Sequence, residues 1–175
     1  MIKNDSKPKK VPKYILNEID SRFKYNSITG DIRYKKRVSR NTDIGFLAGT
    51  IKTNTGYGKI FVGGRVLQSH RVAWYLYYGK MPKQYIDHVN GDKLDNRIKN
   101  LREVTKRENS QNIKKPYPKN KCGYLGVCRT NKSLSYSAAI RIKGKTTHIG
   151  VFKTAIEAHE AYLKVKRKHH KTCTI

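Results

Sequence analysis

The charge of this chain limits how much of it can be buried. Its 175 residues include 39 Lys and Arg against 12 Asp and Glu, which gives a formal net charge of +27 at pH 7. Only 37% of the residues are hydrophobic and 29% are charged, which is the composition of a polar but foldable protein. We therefore expect two small compact units with modest cores, joined by a linker.

The excess of positive charge also indicates the kind of partner. A strongly basic surface attracts polyanions because binding releases their counterions, and nucleic acid is the commonest such partner. An anionic membrane is the alternative, but no apolar run approaches the ~20 residues that span a bilayer. Residues 1–13 hold five lysines and two prolines but no apolar stretch of a secretory signal. They are predicted to form a disordered basic arm.

The cysteines favour a reducing, cytoplasmic location. Cys122, Cys128 and Cys173 make an odd count without a CxxC pair, so neither a disulfide framework nor a zinc ribbon is indicated. A zinc site formed by these cysteines with His169 or His170 is conceivable, although the ligand spacings of common zinc motifs are absent.

The region between Arg22 and Arg71 is predicted to be rich in β-structure. Short β-prone runs alternate there with turn residues, and Gly63-Gly64 is a two-residue hairpin signal. These features predict a small antiparallel meander, followed by a helix over 70–78 that ends before Gly79. The predicted strands are 23–26, 31–35, 46–51, 57–62 and 66–70.

Acidic residues are concentrated in one short segment of this basic chain. Five of the twelve lie between positions 87 and 108, beginning with Asp87 beside His88. The pattern predicts a strand at 85–89, a turn and loop, a second strand at 101–104, and a helix from the Thr-x-x-Glu capping box at Thr105 to about Lys114. A carboxylate beside a histidine that can accept a proton is the minimal equipment for metal-assisted hydrolysis.

The C-terminal part is predicted to be a small α+β unit. Residues 114–122 contain two prolines among lysines and are predicted to be a linker. Three strands follow at 123–129, 135–142 and 146–152, and then a helix at 154–168. The fold class predicted for the whole chain is α+β, with a β-rich N-terminal region and a three-stranded sheet packed on one helix at the end.

The acidic segment resembles the HNH endonucleases, in particular their homing-type branch. The family pattern DHxNG, then DNRxxNLR, then Asn in the following helix stands here as Asp87–Gly91, Asp95–Arg102 and Asn109. His70-Arg71-Val72-Ala73-Trp74 is also similar to the family, and the resemblance covers roughly residues 22–113. Asn replaces the last histidine of the family name, as it does in members of the homing branch.

This resemblance implies a ββα-metal fold that holds one divalent cation, Mg²⁺ or Mn²⁺. Asp87 and Asn109 are the implied metal ligands, and their oxygen atoms suit these hard cations. His88 is the implied general base, and Asn100 is implied to fix the loop that orients it. Other residues remain open: Asn96 and Asn112 are alternative assignments, Arg97 and Arg102 either contact DNA phosphate or pair with Asp92 or Asp95, and His70 is either a second functional group or a core or helix-capping histidine.

Residues 124–162 resemble a second family, the DNA-binding domain of the plant APETALA2/ethylene-response type. The matching positions are Gly126-Val127 with Arg129, residues 136–140 and 150–152, and the helix from Thr154 to Tyr162. The resemblance implies that the sheet enters the major groove of double-stranded DNA, which admits β-ribbons. The candidate DNA-binding residues are Arg129, Lys132, Tyr136, Arg141, Lys143, Lys145 and Thr147.

Together these features predict a site-directed DNA endonuclease of the homing type, a class typically encoded by phages or introns. Its predicted parts are the arm, an endonuclease domain over 14–113 with its β-rich extension, the linker, and a DNA-binding domain over 123–171. A single constellation of site residues favours nicking by a monomer. The alternatives are a DNA-binding regulator with a degenerate HNH part and a basic RNA-associated protein.

Overall fold

The computed structural model describes residues 10–49, 56–130, 134–170 and 172–175. These residues form short antiparallel sheets and α-helices, which confirms the predicted α+β class. The chain divides into two compact units, Met1–Lys106 and Arg107–Ile175. None of the helices in the described ranges combines the length and the apolar character needed to cross a membrane.

The described residues of the first unit form three hairpins and two α-helices. It begins with helix α1, which has Pro12 at its N-cap, and α1 buries Ile15 and Ile19 completely. No helix was predicted for this segment, although the i, i+4 spacing of these two residues is helical. In chain order its elements are α1 (Lys13–Arg22), β1 (Phe23–Tyr25), β2 (Ile32–Tyr34), β3 (Lys59–Val62), β4 (Arg65–Gln68), α2 (Ser69–Tyr78), β5 (Tyr85–His88), a 3₁₀ turn (Ile98–Asn100) and β6 (Leu101–Val104).

The predicted meander is confirmed only in part. Strands β1 and β2 form one hairpin, and β3 and β4 form a separate one. Within the predicted strand 46–51, residues 46–49 make only an isolated bridge between Leu47 and Arg33, and residues 50 and 51 lie outside the described residues. Gly45 and Gly49 flank this segment with φ values of 83° and 104°, which extended strands do not adopt.

The predicted turn and helix end are confirmed. Gly63 and Gly64 have φ values of 57° and 72°, as a two-residue hairpin turn requires. Helix α2 ends at Gly79, whose φ is 69° and whose N–H donates to the Tyr75 carbonyl over 2.8 Å. Arg71 of α2 then donates to the carbonyls of Pro82 and Gln84, both at 3.1 Å, and so ties α2 to the segment that leads into β5.

One hydrophobic core supports the β5–β6 hairpin. Ile86 of β5 and Leu101 of β6 are buried in the same cluster as Phe23 and Val72. The inward side chains of the hairpin therefore share one core with β1 and α2. This packing holds the neighbouring residues Asp87 and His88 in place.

The second unit is a three-stranded antiparallel sheet with one long helix, as predicted. Its elements are α3 (Lys106–Gln111), which starts at the boundary, β7 (Val127–Arg129), β8 (Tyr136–Ile142), β9 (Lys145–Phe152) and α4 (Ala155–His169). Helix α3 begins where expected but ends at Gln111, before the predicted Lys114. Thr154 and Glu157 form a capping box at the start of α4.

The core of the second unit joins its sheet to α4. Val127, Ala138 and Ile140 pack against Ala158 and Tyr162. The three cysteines are free, and no group of three or more His, Cys, Asp or Glu side chains comes together in a metal-binding arrangement among the described residues. The conceivable cysteine zinc site is therefore absent from that part of the chain.

Gly126 provides a test of this packing. Its φ is +77°, and a Cβ atom there would overlap the Tyr162 ring, whereas Gly123 has φ +72° and nothing within 4 Å of a Cβ. Both alanine variants incur the cost of a left-handed backbone. We expect Gly126→Ala to lower the free energy of unfolding by about 1–3 kcal/mol more than Gly123→Ala. Urea unfolding with hydrogen exchange of the β8 amides measures the difference, and equal losses would contradict the packing.

Candidate active site

The β5–β6 hairpin carries the central candidate residues. In its antiparallel register Asp87 lies opposite Arg102, and His88 lies opposite Leu101. Asp87 is 7% exposed and His88 only 3% exposed. Because neighbours on a strand point to opposite faces, Asp87 and His88 leave the hairpin on different sides. His88 is the last residue of β5.

Asn100 supports the loop that follows His88. Its Oδ1 accepts a hydrogen bond from the Asn90 N–H over 2.9 Å, and its Nδ2 donates to the Asp95 carbonyl over 2.8 Å. The Asn100 carbonyl also accepts from the Val89 N–H over 2.9 Å. Asn100 is buried, at 6% exposure, so these bonds satisfy its amide and hold both ends of the loop. Its supporting role in catalysis stays a prediction.

Arg97 closes the same loop through an ion pair with Asp95. The Arg97 Nε donates to Asp95 Oδ1 and its Nη2 to Oδ2, over 2.7 and 2.5 Å. Asn90 Nδ2 donates to Oδ2 over 2.7 Å. The hydrogen bonds from Arg97 are the main reason that the pKa of Asp95 falls from 3.8 to about 2. Of the two roles expected for Arg97, the structure shows the pairing with Asp95.

Arg102 pairs with Asp87, which was not among the carboxylates predicted for it. Its Nε and Nη2 both donate to Asp87 Oδ2, over 2.9 and 2.7 Å. The Asp87 side chain is 9% exposed, whereas that of Arg102 is 27% exposed. The strand register explains this pairing, because directly opposite residues place their side chains on one face of the hairpin.

His88 lies in a cluster of aromatic rings. The His70 and His88 rings meet edge to face, with centroids 5.2 Å apart and an interplanar angle of 89°. Tyr57 lies 5.2 Å from the His70 ring and 5.9 Å from the His88 ring, and the Lys93 ammonium lies 4.8 Å from the Tyr57 centroid. His70 is therefore a core histidine in contact with the candidate base. The contributions of Tyr57 and Lys93 were missed, because no spacing in the sequence connects them to His88.

Burial keeps both histidines neutral near neutral pH. Desolvation is the main reason that the pKa of His70 falls to about 3, and His88 and Arg71 lower it further. Desolvation also lowers the pKa of His88 below 6.5, against the opposing effects of the Asn96 side chain and the nearby carboxylates. A neutral imidazole can accept a proton from water.

One of the two proposed ligands of a divalent cation lies in the first unit. Asp87 supplies a nearly buried carboxylate, a hard oxygen ligand of the type that Mg²⁺ and Mn²⁺ prefer. The guanidinium of Arg102 lies against this carboxylate at 2.7 Å, so a cation bound there would share Asp87 with Arg102.

The other asparagine candidates have different surroundings. Asn109 lies on α3, in the second unit, and is partly buried. Asn112 Oδ1 accepts a hydrogen bond from the Thr174 hydroxyl over 3.0 Å. The backbone carbonyl of Asn96 accepts from the Tyr25 hydroxyl over 2.7 Å. The assignment of Asn109 as a metal ligand stays a prediction.

Most of the candidate DNA-binding residues of the second unit are exposed, but they do not share one face of the sheet. Tyr136 packs against the core, and Arg129 lies opposite it in the register. Thr147 pairs with the buried Ile140, whereas Arg141 is on the open face. Lys143 and Lys145 are exposed at the β8–β9 turn, and Lys132 lies outside the described residues.

The open face also includes residues that the sequence analysis did not select. Cys128 pairs with Ser137, Ala139 with His148, and Arg141 with Thr146. Side chains alternate between the two faces along β8, and Ala138 and Ile140 are buried. Residues 137, 139 and 141 could therefore have been assigned to the open face from the sequence.

Comparison with known proteins identifies the central segment. Residues 68–111 match a family described as HNH endonuclease, so an HNH endonuclease domain lies there. Protein 3.8 of Escherichia phage T7 is 32% identical over 77 residues, which cover 43% of this chain and 63% of that protein. The match thus spans less than two thirds of the relative's length. No solved structure matches the chain. The family match ends at residue 111, so the APETALA2-type resemblance stays a prediction.

The role of Asn100 can be tested by its effect on stability. Asn100→Ala removes the partners of the Asn90 N–H and the Asp95 carbonyl, and we expect it to lower the free energy of unfolding by about 1–3 kcal/mol. Asn41 is exposed, so Asn41→Ala serves as the control and is expected to change the free energy of unfolding by less than about 0.5 kcal/mol. Chemical denaturation compares the two variants. Equal stability of Asn100→Ala and the unaltered protein would remove Asn100 as a support.

The Asp95–Arg97 pair predicts a stability change in acid. The folded protein lowers the pKa of Asp95 from 3.8 to about 2, so ionised Asp95 stabilises the fold above about pH 4, and this contribution disappears as the pH falls towards 2. We expect Asp95→Asn to flatten the loss of stability in this interval. Asp43→Asn, the same change at an exposed position of this unit, serves as the control. Thermal unfolding across the interval tests this, and an unchanged slope in Asp95→Asn would contradict it.

Proposed function

We propose that this protein is a metal-dependent DNA endonuclease of the homing type, in which His88 is the general base and Asp87 and Asn109 are metal ligands. The observation that carries the proposal is the position of a buried, neutral His88 directly after Asp87, whose carboxylate is nearly buried, within the segment that matches the HNH endonuclease family. The phage origin of the relative agrees with this assignment.

The surroundings of His88 suit a base that acts on water. Its lowered pKa keeps an imidazole nitrogen available for the proton of the attacking water at neutral pH. The His70 and Tyr57 rings limit how far the His88 ring can turn, and Asn100 fixes the backbone on both sides of the following loop. His88 is thus oriented by packing and by its loop, which positions it for proton transfer.

Asp87 would hold Mg²⁺ or Mn²⁺, with Asn109 as the second protein ligand that the family resemblance implies. When bound, such an ion stabilises the charge on the scissile phosphate and on the departing 3′ oxygen. The contribution of the chain is to present a hard carboxylate at a fixed position on the hairpin.

The second unit would hold double-stranded DNA. From Pro116 onward the chain has thirteen Lys and Arg against two acidic residues, and its sheet exposes Arg141, Lys143 and Lys145. A basic sheet of this kind can follow the DNA backbone and enter the major groove. A single His88 centre would nick one strand at a time, with the protein acting as a monomer.

The decisive experiment measures cleavage of DNA that flanks the encoding gene. We expect cleavage to require Mg²⁺ or Mn²⁺ and to stop with EDTA, and we expect His88→Ala to lower its rate by about 10²- to 10⁴-fold. His169→Ala changes an exposed histidine of α4 and should leave the rate unchanged.

Two results would contradict this proposal. Undiminished cleavage by His88→Ala would remove His88 as the base. DNA binding without metal-dependent cleavage by the unaltered protein would favour the regulator that the sequence left as an alternative.

A further inference from the structure

Arg102 makes the contact that most directly concerns the proposed metal ligand. Its Nε and Nη2 donate to the same atom, Asp87 Oδ2, over 2.9 and 2.7 Å. The register of β5 and β6 sets the two residues opposite each other, so the pair belongs to the hairpin itself. The Arg102 guanidinium thus compensates the charge of a carboxylate that is only 9% exposed.

A divalent cation at Asp87 would compete with this arrangement. Metal ligation needs a carboxylate oxygen at about 2.0–2.2 Å from Mg²⁺ or Mn²⁺, and two N–H groups already occupy lone-pair directions of Oδ2. The guanidinium and the metal ion would also repel each other in a poorly solvated site. Arg102 therefore lowers the affinity of Asp87 for a cation for as long as their ion pair persists.

The side chain of Arg102 is open enough to exchange partners. It is 27% exposed, three times the exposed fraction of the Asp87 side chain. A guanidinium binds phosphate with the same two-pronged geometry that it uses for a carboxylate. A DNA phosphate brought to the hairpin would offer Arg102 an equivalent anionic partner.

We propose that Arg102 is a positioning residue that couples metal binding to DNA binding: it holds Asp87 in the free protein and passes to a DNA phosphate in the complex. This inference rests on the proposed endonuclease function. Binding linkage is reciprocal, so DNA raises the affinity for the metal ion by the same factor by which the metal ion raises the affinity for DNA. The cation then binds to Asp87 mainly when the protein is bound to DNA.

The test measures Mn²⁺ binding in a protein that does not cleave. In the His88→Ala background, isothermal titration gives the Mn²⁺ dissociation constant with and without a short duplex of mixed sequence. We expect Arg102→Gln to tighten Mn²⁺ binding in the absence of DNA by at least about fivefold and to reduce the tightening that DNA produces. A role confined to stability would leave that DNA-dependent factor unchanged.

Arg22→Gln in the same background is the matched control. Arg22 pairs with Glu18 on α1 over 3.1 Å, so this variant also removes one positive charge and one ion pair from the first unit. Its Mn²⁺ affinity and its DNA-dependent factor should equal those of the background protein.

Thermal unfolding shows whether Arg102→Gln folds. If it does not fold, Arg102→Lys replaces it in the test. Lysine keeps the charge but lacks the planar fork of donors, so we expect its Mn²⁺ affinity without DNA to lie above that of the background protein. An unchanged or weaker Mn²⁺ affinity in the folded variant, or an unchanged DNA-dependent factor, overturns the coupling.

Two further measurements separate this inference from the proposed function. If the protein with His88 intact cleaves DNA with metal, and Asp87→Asn abolishes Mn²⁺ binding, then a negative result for Arg102 overturns the coupling alone. If the protein shows no metal-dependent cleavage, or if Mn²⁺ binds equally well to Asp87→Asn, the proposed metal site and the coupling are overturned together.

Discussion

The candidate site depends on the antiparallel register of β5 and β6. This register sets Asp87 opposite Arg102 and His88 opposite Leu101, and a slip of β5 by one residue would exchange the faces of Asp87 and His88. Ile86 and Leu101 secure the register because they are buried in the core with elements of both helices of the unit. The hydrophobic packing that stabilises the hairpin thus also fixes the faces on which Asp87 and His88 lie.

Burial then determines the chemistry of those polar residues. His88 and His70 are both neutral near neutral pH because desolvation lowers each pKa. The nearly buried carboxylate of Asp87 forms an ion pair with Arg102. Thus the site holds a neutral base on one side of a strand and a compensated anion on the other. In the proposed mechanism, His88 would accept a proton and Asp87 would bind the cation.

Local sequence patterns predicted much of the fold. They failed where the structure depends on contacts between segments that are distant in the chain. The helix over 70–78, the Gly63-Gly64 turn and the C-terminal sheet follow from spacings of a few residues, and the structure confirms them. The separation of the N-terminal strands into two hairpins was not predicted, because strand pairing is a non-local choice. Likewise the candidate DNA-binding residues were chosen by charge. In the sheet, the alternation of side chains around Ala138 and Ile140 divides these candidates between the two faces.

The sequence by itself determined the high positive charge, the α+β class and the HNH pattern around Asp87, His88 and Asn100, since each is a matter of composition or short-range spacing. Only the tertiary structure decided that Arg102 binds Asp87, and that Tyr57 and His70 enclose His88. These contacts join residues 15 to 31 positions apart in the chain. They exist because β5 pairs with β6 and packs near α2, a result of folding that no local periodicity encodes.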